Sequence, residues 1–143
     1  MKSVYIDTNL FLYLSEKKSS FYLESVELIR HLKNDRTLIL TSSESIQEIV
    51  YVSQKMKKLS YGLKTIEKVF EVIDELLSIN KKTINYYLDL VIKHSTSDSR
   101  DSLHVATCIE NKIGTIITYD YGFKKFKEIK VFTPQEFLNK FNL

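Results

Sequence analysis

Four acidic residues, Asp7, Glu48, Asp101 and Asp120, each fall where an apolar run ends or a helical pattern begins. Carboxylates brought close together raise one another's pKa, and a group of them is unfavourable unless a cation sits among them. An all-oxygen set with no matching group of Cys or His suits Mg2+ or Mn2+ rather than structural zinc, and it leaves positions for water and substrate phosphates. Such a site serves metal-assisted phosphodiester cleavage, in which the cation polarises the phosphoryl group and stabilises the departing oxygen. Each acid also has a structural use. Asp7 and Asp98 precede helical patterns and are good N-caps, Asp101 suits the first turn of a helix, Glu48 a solvent-facing helix position, and Asp120 a turn. Only their joint placement separates the two readings, and placement depends on the fold.

Strand and helix patterns alternate along the chain. Ser3 to Ile6, Thr37 to Thr41, Thr115 to Thr118 and Lys130 to Phe132 are short runs rich in β-formers. Helical spacing covers Asn9 to Leu14 and Phe21 to Leu32, then a segment capped by Ser42 or Ser43 with Ile46, Ile49, Val50 and Val52 facing inward. Tyr61 to Leu77 reads as one amphipathic helix with Ile66, Val69, Phe70, Ile73, Leu76 and Leu77 on one face, and Ile84 to Ile92 as another. A further helix follows the polar stretch His94 to Ser99, runs to about Lys112 and ends at Gly114; Pro134 opens a last short one. Alternation of this kind predicts an α/β fold with a parallel sheet between helices, and its ligand site lies beyond the carboxyl ends of the strands.

That rule brings the acids together. Asp7 immediately follows the first strand, Asp120 comes after Thr115 to Thr118, and Glu48 lies in the second turn of a helix leaving a strand. Asp101 opens a helix of roughly 11 residues that descends about 17 Å at 1.5 Å per residue, and a strand of roughly five residues climbs back by as much. All four carboxylates are therefore expected on one rim. Glu44 is four residues from Glu48 on the same helical face and Asp98 three from Asp101, so both remain competitors for those two places. His104 lies one turn into an apolar helix face, which favours a buried or supporting role over that of general base.

With 143 residues, 43% of them hydrophobic and 27% charged, and with only three Gly and one Pro, the chain is expected to form one domain, residues 1–143, without linkers or disorder. The longest apolar run, Leu10 to Leu14, is far short of the roughly 20 residues that span a bilayer, and no signal-peptide pattern precedes it. A soluble cytoplasmic protein with no membrane association is the expectation. Its one cysteine, Cys108, lies within a helical pattern and reads as a small core residue. A net charge of +3 does not by itself mark a nucleic-acid binder. Lysines cluster after Asp120, however, so Arg100, Lys124 and Lys125 become phosphate contacts if they stand beside the acids. Tyr119 and Tyr121 flank the same place, where aromatic rings stack on bases or, more commonly, pack a turn.

Asp7-Thr8-Asn9, Ser42 with Glu48, Arg100-Asp101-Ser102-Leu103-His104-Val105-Ala106-Thr107, and Ile117-Thr118-Tyr119-Asp120 with Phe123 together resemble the signature stretches of PIN domains, especially VapC-type toxin ribonucleases. The likeness spans nearly the whole chain, and its specificity lies in the ordered set rather than in any one stretch. It implies a three-layer α/β/α fold with sheet order 3-2-1-4-5, and a Mg2+- or Mn2+-dependent endoribonuclease acting on RNA. It further implies frequent homodimerisation and an antitoxin partner that inserts a segment over the site. By the same likeness Asp7, Glu48, Asp101 and Asp120 form the catalytic and metal-binding quartet, with Asn9 and Thr118 orienting carboxylates. The interval from Ser42 favours Glu48 over Glu44, and the Leu103-His104-x-Ala106 continuation favours Asp101 over Asp98. A catalytically silent PIN-like module that binds RNA or protein is the alternative, which the intact quartet disfavours. A phosphatase using Asp7 as nucleophile ranks last, because Asn9 stands where that chemistry wants a second aspartate.

Overall fold

The structure is a computed structural model that describes residues 2–141. Five strands, β1 Ser3–Ile6, β2 Leu38–Ser42, β3 Glu75–Leu77, β4 Thr115–Ile117 and β5 Lys130–Phe132, form one sheet in the order β3-β2-β1-β4-β5. Every pairing is parallel. The helices are α1 Thr8–Leu14, α2 Tyr22–Asn34, α3 Ser43–Lys55, α4 Leu59–Val72, α5 Lys81–Lys93, α6 Ser99–Glu110 and α7 Pro134–Phe141, with a 3-10 turn at Tyr121–Lys125. None is long and apolar enough to cross a membrane.

Period-two alternation sends neighbouring strand residues into two cores. Val4, Ile6, Ile39 and Ile117 pack against residues of α1, α2, α4 and α7 on one face, such as Leu10, Leu28, Val69 and Phe137. Tyr5, Leu40 and Ile116 pack on the other face against Leu90 of α5 and Val105, Ala106 and Cys108 of α6. Cys108 is thus the small core residue that its position predicts. At roughly 25 cal/mol per Å2 of apolar surface removed from water, these two layers are the main stabilising contribution, and they fix the rim from which the acids project.

The sequence pattern misplaced one element. Tyr61 to Leu77 is not a single helix: α4 stops at Val72, Ile73 is extended, and Glu75–Leu77 pairs with Leu40–Ser42 as the edge strand β3. Unpaired backbone groups along β2 explain the difference, since a short strand satisfies them whereas another helical turn does not. Asp74 fastens the junction, its carboxylate accepting from Ile39 N at 2.7 Å and its own N–H donating to Ile39 O at 2.8 Å. Phe70, expected inside, is 55% exposed. Two helix ends also differ. Ser42 holds the N-cap position of α3 but makes no capping hydrogen bond, and the left-handed residue after α6 is Lys112, at φ 56°, rather than Gly114.

Candidate active site

The first strand ends in a run of polar residues that begins with Asp7, 5% exposed. Its Oδ1 accepts from Thr8 N at 2.8 Å and so caps α1, while Oδ2 accepts from the Thr118 hydroxyl at 2.7 Å. Thr118 in turn accepts from Asp120 N at 3.0 Å, which ties the ends of β1 and β4 together. Asn9 adds a second tie by accepting from Tyr119 N at 3.3 Å. The capping and site readings of these acids therefore do not compete. One carboxylate oxygen satisfies a helix amide and the residue still faces the rim.

Asp7, Glu48, Asp101 and Asp120 line one cleft of about 210 Å3 together with Thr8, Asn9, Asp98 and Arg100. Asp120 caps the 3-10 turn by accepting from Gly122 N at 2.8 Å. A Cβ added at Gly122 would lie 3.0 Å from Asp120 Oδ1 and 3.7 Å from Asp101 Oδ2, so the two carboxylates converge over this glycine and a side chain there would fill the space between them. Of the two competing pairs, Glu44 does not line the cleft. Asp98 does, but its carboxylate caps α6 through Arg100 N at 2.8 Å and lies 3.5 Å from the Arg100 guanidinium.

His104 lies buried behind Glu48 and Asp7. It is 1% exposed, its Nε2 lies 2.7 Å from Glu48 Oε1 and 3.6 Å from Asp7 Oδ1, and its Nδ1 meets the Tyr5 hydroxyl. The Tyr5 hydroxyl also reaches Ser42 Oγ at 2.7 Å, so the serine expected to cap α3 spends its side chain in the core instead. Asp7, Glu48 and His104 offer ligand atoms that all lie within 4.8 Å of one another. Ser42 was legible in the sequence as a signature residue and helix cap but not as a partner of Tyr5, and Tyr5 was missed; the one signal for it was a tyrosine inside an otherwise aliphatic strand, whose buried hydroxyl needs a partner.

The electrostatics are those of a site short of positive charge. Burial, then Asp120, Asp98 and Asp7, push the Asp101 carboxyl up to about 7. Burial also raises Asp7, against the opposing pull of His104 and the Thr118 hydroxyl. Burial acts to raise Glu48 too, but the hydrogen bond and charge of His104 outweigh it and hold the carboxyl below its usual range. For His104 burial acts downward, and Glu48 and Asp7 together hold it above the ordinary imidazole value. A divalent cation fits these residues on two counts: the donors are hard oxygens, and Asp101 stands among acidic neighbours with no salt bridge among the described residues.

Elsewhere the sequence-predicted residues scatter. Arg100 is the one basic side chain among the described residues lining the cleft. Lys124 is held by Glu136 at 2.9 Å and the Val131 carbonyl at 3.1 Å, while Lys125 is exposed and outside the cleft lining. Tyr119 donates to Glu24 at 2.8 Å and packs on Tyr13 and Phe21, as a turn-packing ring does; Tyr121 is exposed. Beyond the shared wall of Leu12 and Val52 lies a second, more apolar cleft of about 310 Å3, lined also by Tyr13, Met56 and Tyr61.

Comparison with known proteins agrees with this geometry. The family model for the PIN domain matches residues 4–129. Ribonuclease VapC13 of Mycobacterium tuberculosis is 24% identical over 127 residues, covering 89% of this chain and 97% of that one. Ribonuclease VapC1 of Aquifex aeolicus is 25% identical over 142 residues, covering 99% and 96%. Among solved structures, the DNA-bound VapBC of Salmonella typhimurium superposes with a TM-score of 0.75 at 13% identity, over 94% of this chain and 99% of that one.

Proposed function

We propose, from the premise that the chain belongs to the PIN domain family, that it is a Mg2+- or Mn2+-dependent endoribonuclease and the toxin of a VapC-type toxin–antitoxin pair. The observation that carries this reading is the convergence of four carboxylates from four separated segments on one cleft, where burial and its acidic neighbours push Asp101 up to about 7. Asp7, Glu48, Asp101 and Asp120 are the residues we assign to hold the ion. When bound there, a divalent cation supplies Lewis acidity to the phosphoryl group and lowers the pKa of water. The chain's own residues do the rest. Thr8 N and the Thr118 hydroxyl hold both oxygens of Asp7, and Asn9 fixes the loop that carries Asp120. Arg100, held at the mouth by Asp98, offers its guanidinium to an RNA phosphate.

A toxin that cleaves the cell's own RNA acts in the cytoplasm, and that is the location this reading implies. The likeness to VapC ribonucleases and to structural neighbours that are VapBC complexes supports an antitoxin partner. The apolar cleft beside the acids offers that partner's segment a surface to bury. Exposed stripes of Leu59, Leu63 and Phe70 on α4 and of Ile84, Leu88 and Ile92 on α5 support a homodimer, since surface of this kind is commonly covered. Light scattering after gel filtration is expected to give twice the chain mass, and a stable monomer at high concentration removes the dimer.

The test of the function is cleavage of a mixed RNA pool with Mg2+ or Mn2+, against EDTA, by wild type and an identically purified Asp101→Asn. Cleavage by wild type alone, lost in EDTA, is the expected result. Equal cleavage by both proteins would overturn the assignment.

A further inference from the structure

We infer that His104 is a positioning residue that holds Glu48 beside Asp7 in the arrangement a divalent cation needs, and that Tyr5 and Ser42 aim its ring. The inference rests on the metal-site reading above. Glu48 reaches the cleft from the second turn of α3 on a side chain with three rotatable bonds, and fixing such a chain costs up to about 2 kcal/mol of rotamer freedom. Two carboxylates side by side also repel each other, so nothing in Glu48 itself keeps it against Asp7.

The ring of His104 supplies the missing constraint. Nε2 faces Glu48 Oε1 at 2.7 Å and Asp7 Oδ1 at 3.6 Å. An ionised carboxylate can only accept, so Nε2 donates, and a hydrogen bond to a charged acceptor is among the stronger kinds. On the opposite edge, Nδ1 bonds the Tyr5 hydroxyl, which continues to Ser42 Oγ at 2.7 Å. Tyr5 is itself fully buried in the central strand and meets the imidazole edge to face at 5.6 Å between centroids. Phe123 stands 6.2 Å from the ring centroid as a further wall. The chain Ser42, Tyr5, His104, Glu48 thus links β2, β1, α6 and α3, which fixes one carboxylate by means of three elements of the core. Groups that orient metal ligands in this way are typically worth roughly 10- to 100-fold in metal affinity.

The test is Mn2+ binding by calorimetry to wild type, His104→Leu, His104→Gln and Tyr5→Phe, with the KM for RNA measured alongside. Glutamine places an amide N–H near the position of Nε2 and keeps the donation to Glu48, whereas leucine fills the space and removes it. His104→Leu is expected to bind Mn2+ roughly 10- to 100-fold more weakly. His104→Gln should return to within a few-fold of wild type, Tyr5→Phe should fall between them, and the KM should change little. Should the leucine variant fail to fold, the glutamine and phenylalanine variants carry the comparison. Wild-type affinity in both His104→Leu and Tyr5→Phe would overturn the positioning role. So would a loss in His104→Gln as deep as in His104→Leu, which would make His104 a ligand instead. Failure of wild type itself to bind Mn2+ would overturn the metal-site reading first and this inference with it.

Discussion

The two ends of the sheet treat charge in opposite ways. At the amino ends of the strands, two carboxylates are held by partners: Asp35 takes Lys2 at 3.2 Å and the Thr37 hydroxyl at 3.0 Å, and Asp74 takes Ile39 N at 2.7 Å with Lys33 at 3.9 Å. The hydrogen bonds from Lys2 and Thr37 hold the Asp35 carboxyl below its usual range. At the carboxyl ends, Asp7, Glu48, Asp101 and Asp120 crowd one cleft with Arg100 alone at its edge, and Asp101 rises to about 7. Asp35 and Asp74 are met by the chain's own groups, whereas the carboxylates of the cleft leave their charge to be met by something bound. An uncompensated cluster lowers the stability of the metal-free fold, and sites that bind cations or do chemistry are where such a cost is retained.

The contrast is broken most severely by Asp7→Asn, which keeps the shape of the side chain and removes its charge. Loss of several kcal/mol of transition-state stabilisation should lower cleavage by about 10^3-fold, measured on an RNA substrate, while circular dichroism reports a folded protein. The equivalent change at the amino end, Asp35→Asn, should leave cleavage unaltered.

Packing beside the cleft comes next. A Cβ at Gly62 would lie 2.2 Å from Ser53 Oγ and 2.5 Å from Ser53 Cβ, so Gly62→Ala must part α4 from α3, the helix that carries Glu48. A loss of about 1–3 kcal/mol in urea unfolding is expected, with cleavage falling as Glu48 shifts.

Smaller effects distinguish the two ends by sign. The pKa of Asp101 is raised on folding, so its penalty is absent below the unfolded value near 4, grows as pH rises, and is complete above about 7. Asp101→Asn should therefore stabilise the metal-free protein at pH 8 by about 1–2 kcal/mol, once solvent screening of this half-buried group is allowed for, and the gain should vanish by about pH 4. Asp35 behaves in the opposite sense, because its lowered pKa stabilises the fold above the unfolded value and that contribution is lost as pH falls through the folded one. Asp35→Asn should cost a small amount of stability at neutral pH and none in acid, measured by the same melts.

The sequence carried most of this because each strand that ends in an acid is also a run of buried aliphatics. Ser3–Ile6 and Thr115–Ile117 have no other environment than the centre of a parallel sheet, and that placement sends Asp7 and Asp120 to one rim. The edge strand was illegible for a matching reason. Glu75–Leu77 has three residues and a neighbour on one side only, and Ile73, Leu76 and Leu77 continue the spacing of α4 as naturally as they alternate in a strand. In the site, the acids were legible from their position after strands, whereas the Tyr5 to His104 contact joins residues 99 apart and had no local signature. Lys124 shows the limit of charge clustering, since its ammonium is taken by Glu136.

The most direct test of the charge contrast is the unfolding midpoint of the wild-type protein as Mn2+ is titrated at pH 8, beside Asp7→Asn. A cation that binds only the folded state stabilises it by about 2.7 kcal/mol at 100 times its dissociation constant. The wild-type midpoint should rise steadily with Mn2+ and return on adding EDTA, with little movement in Asp7→Asn. A wild-type midpoint unmoved by Mn2+ would contradict the account.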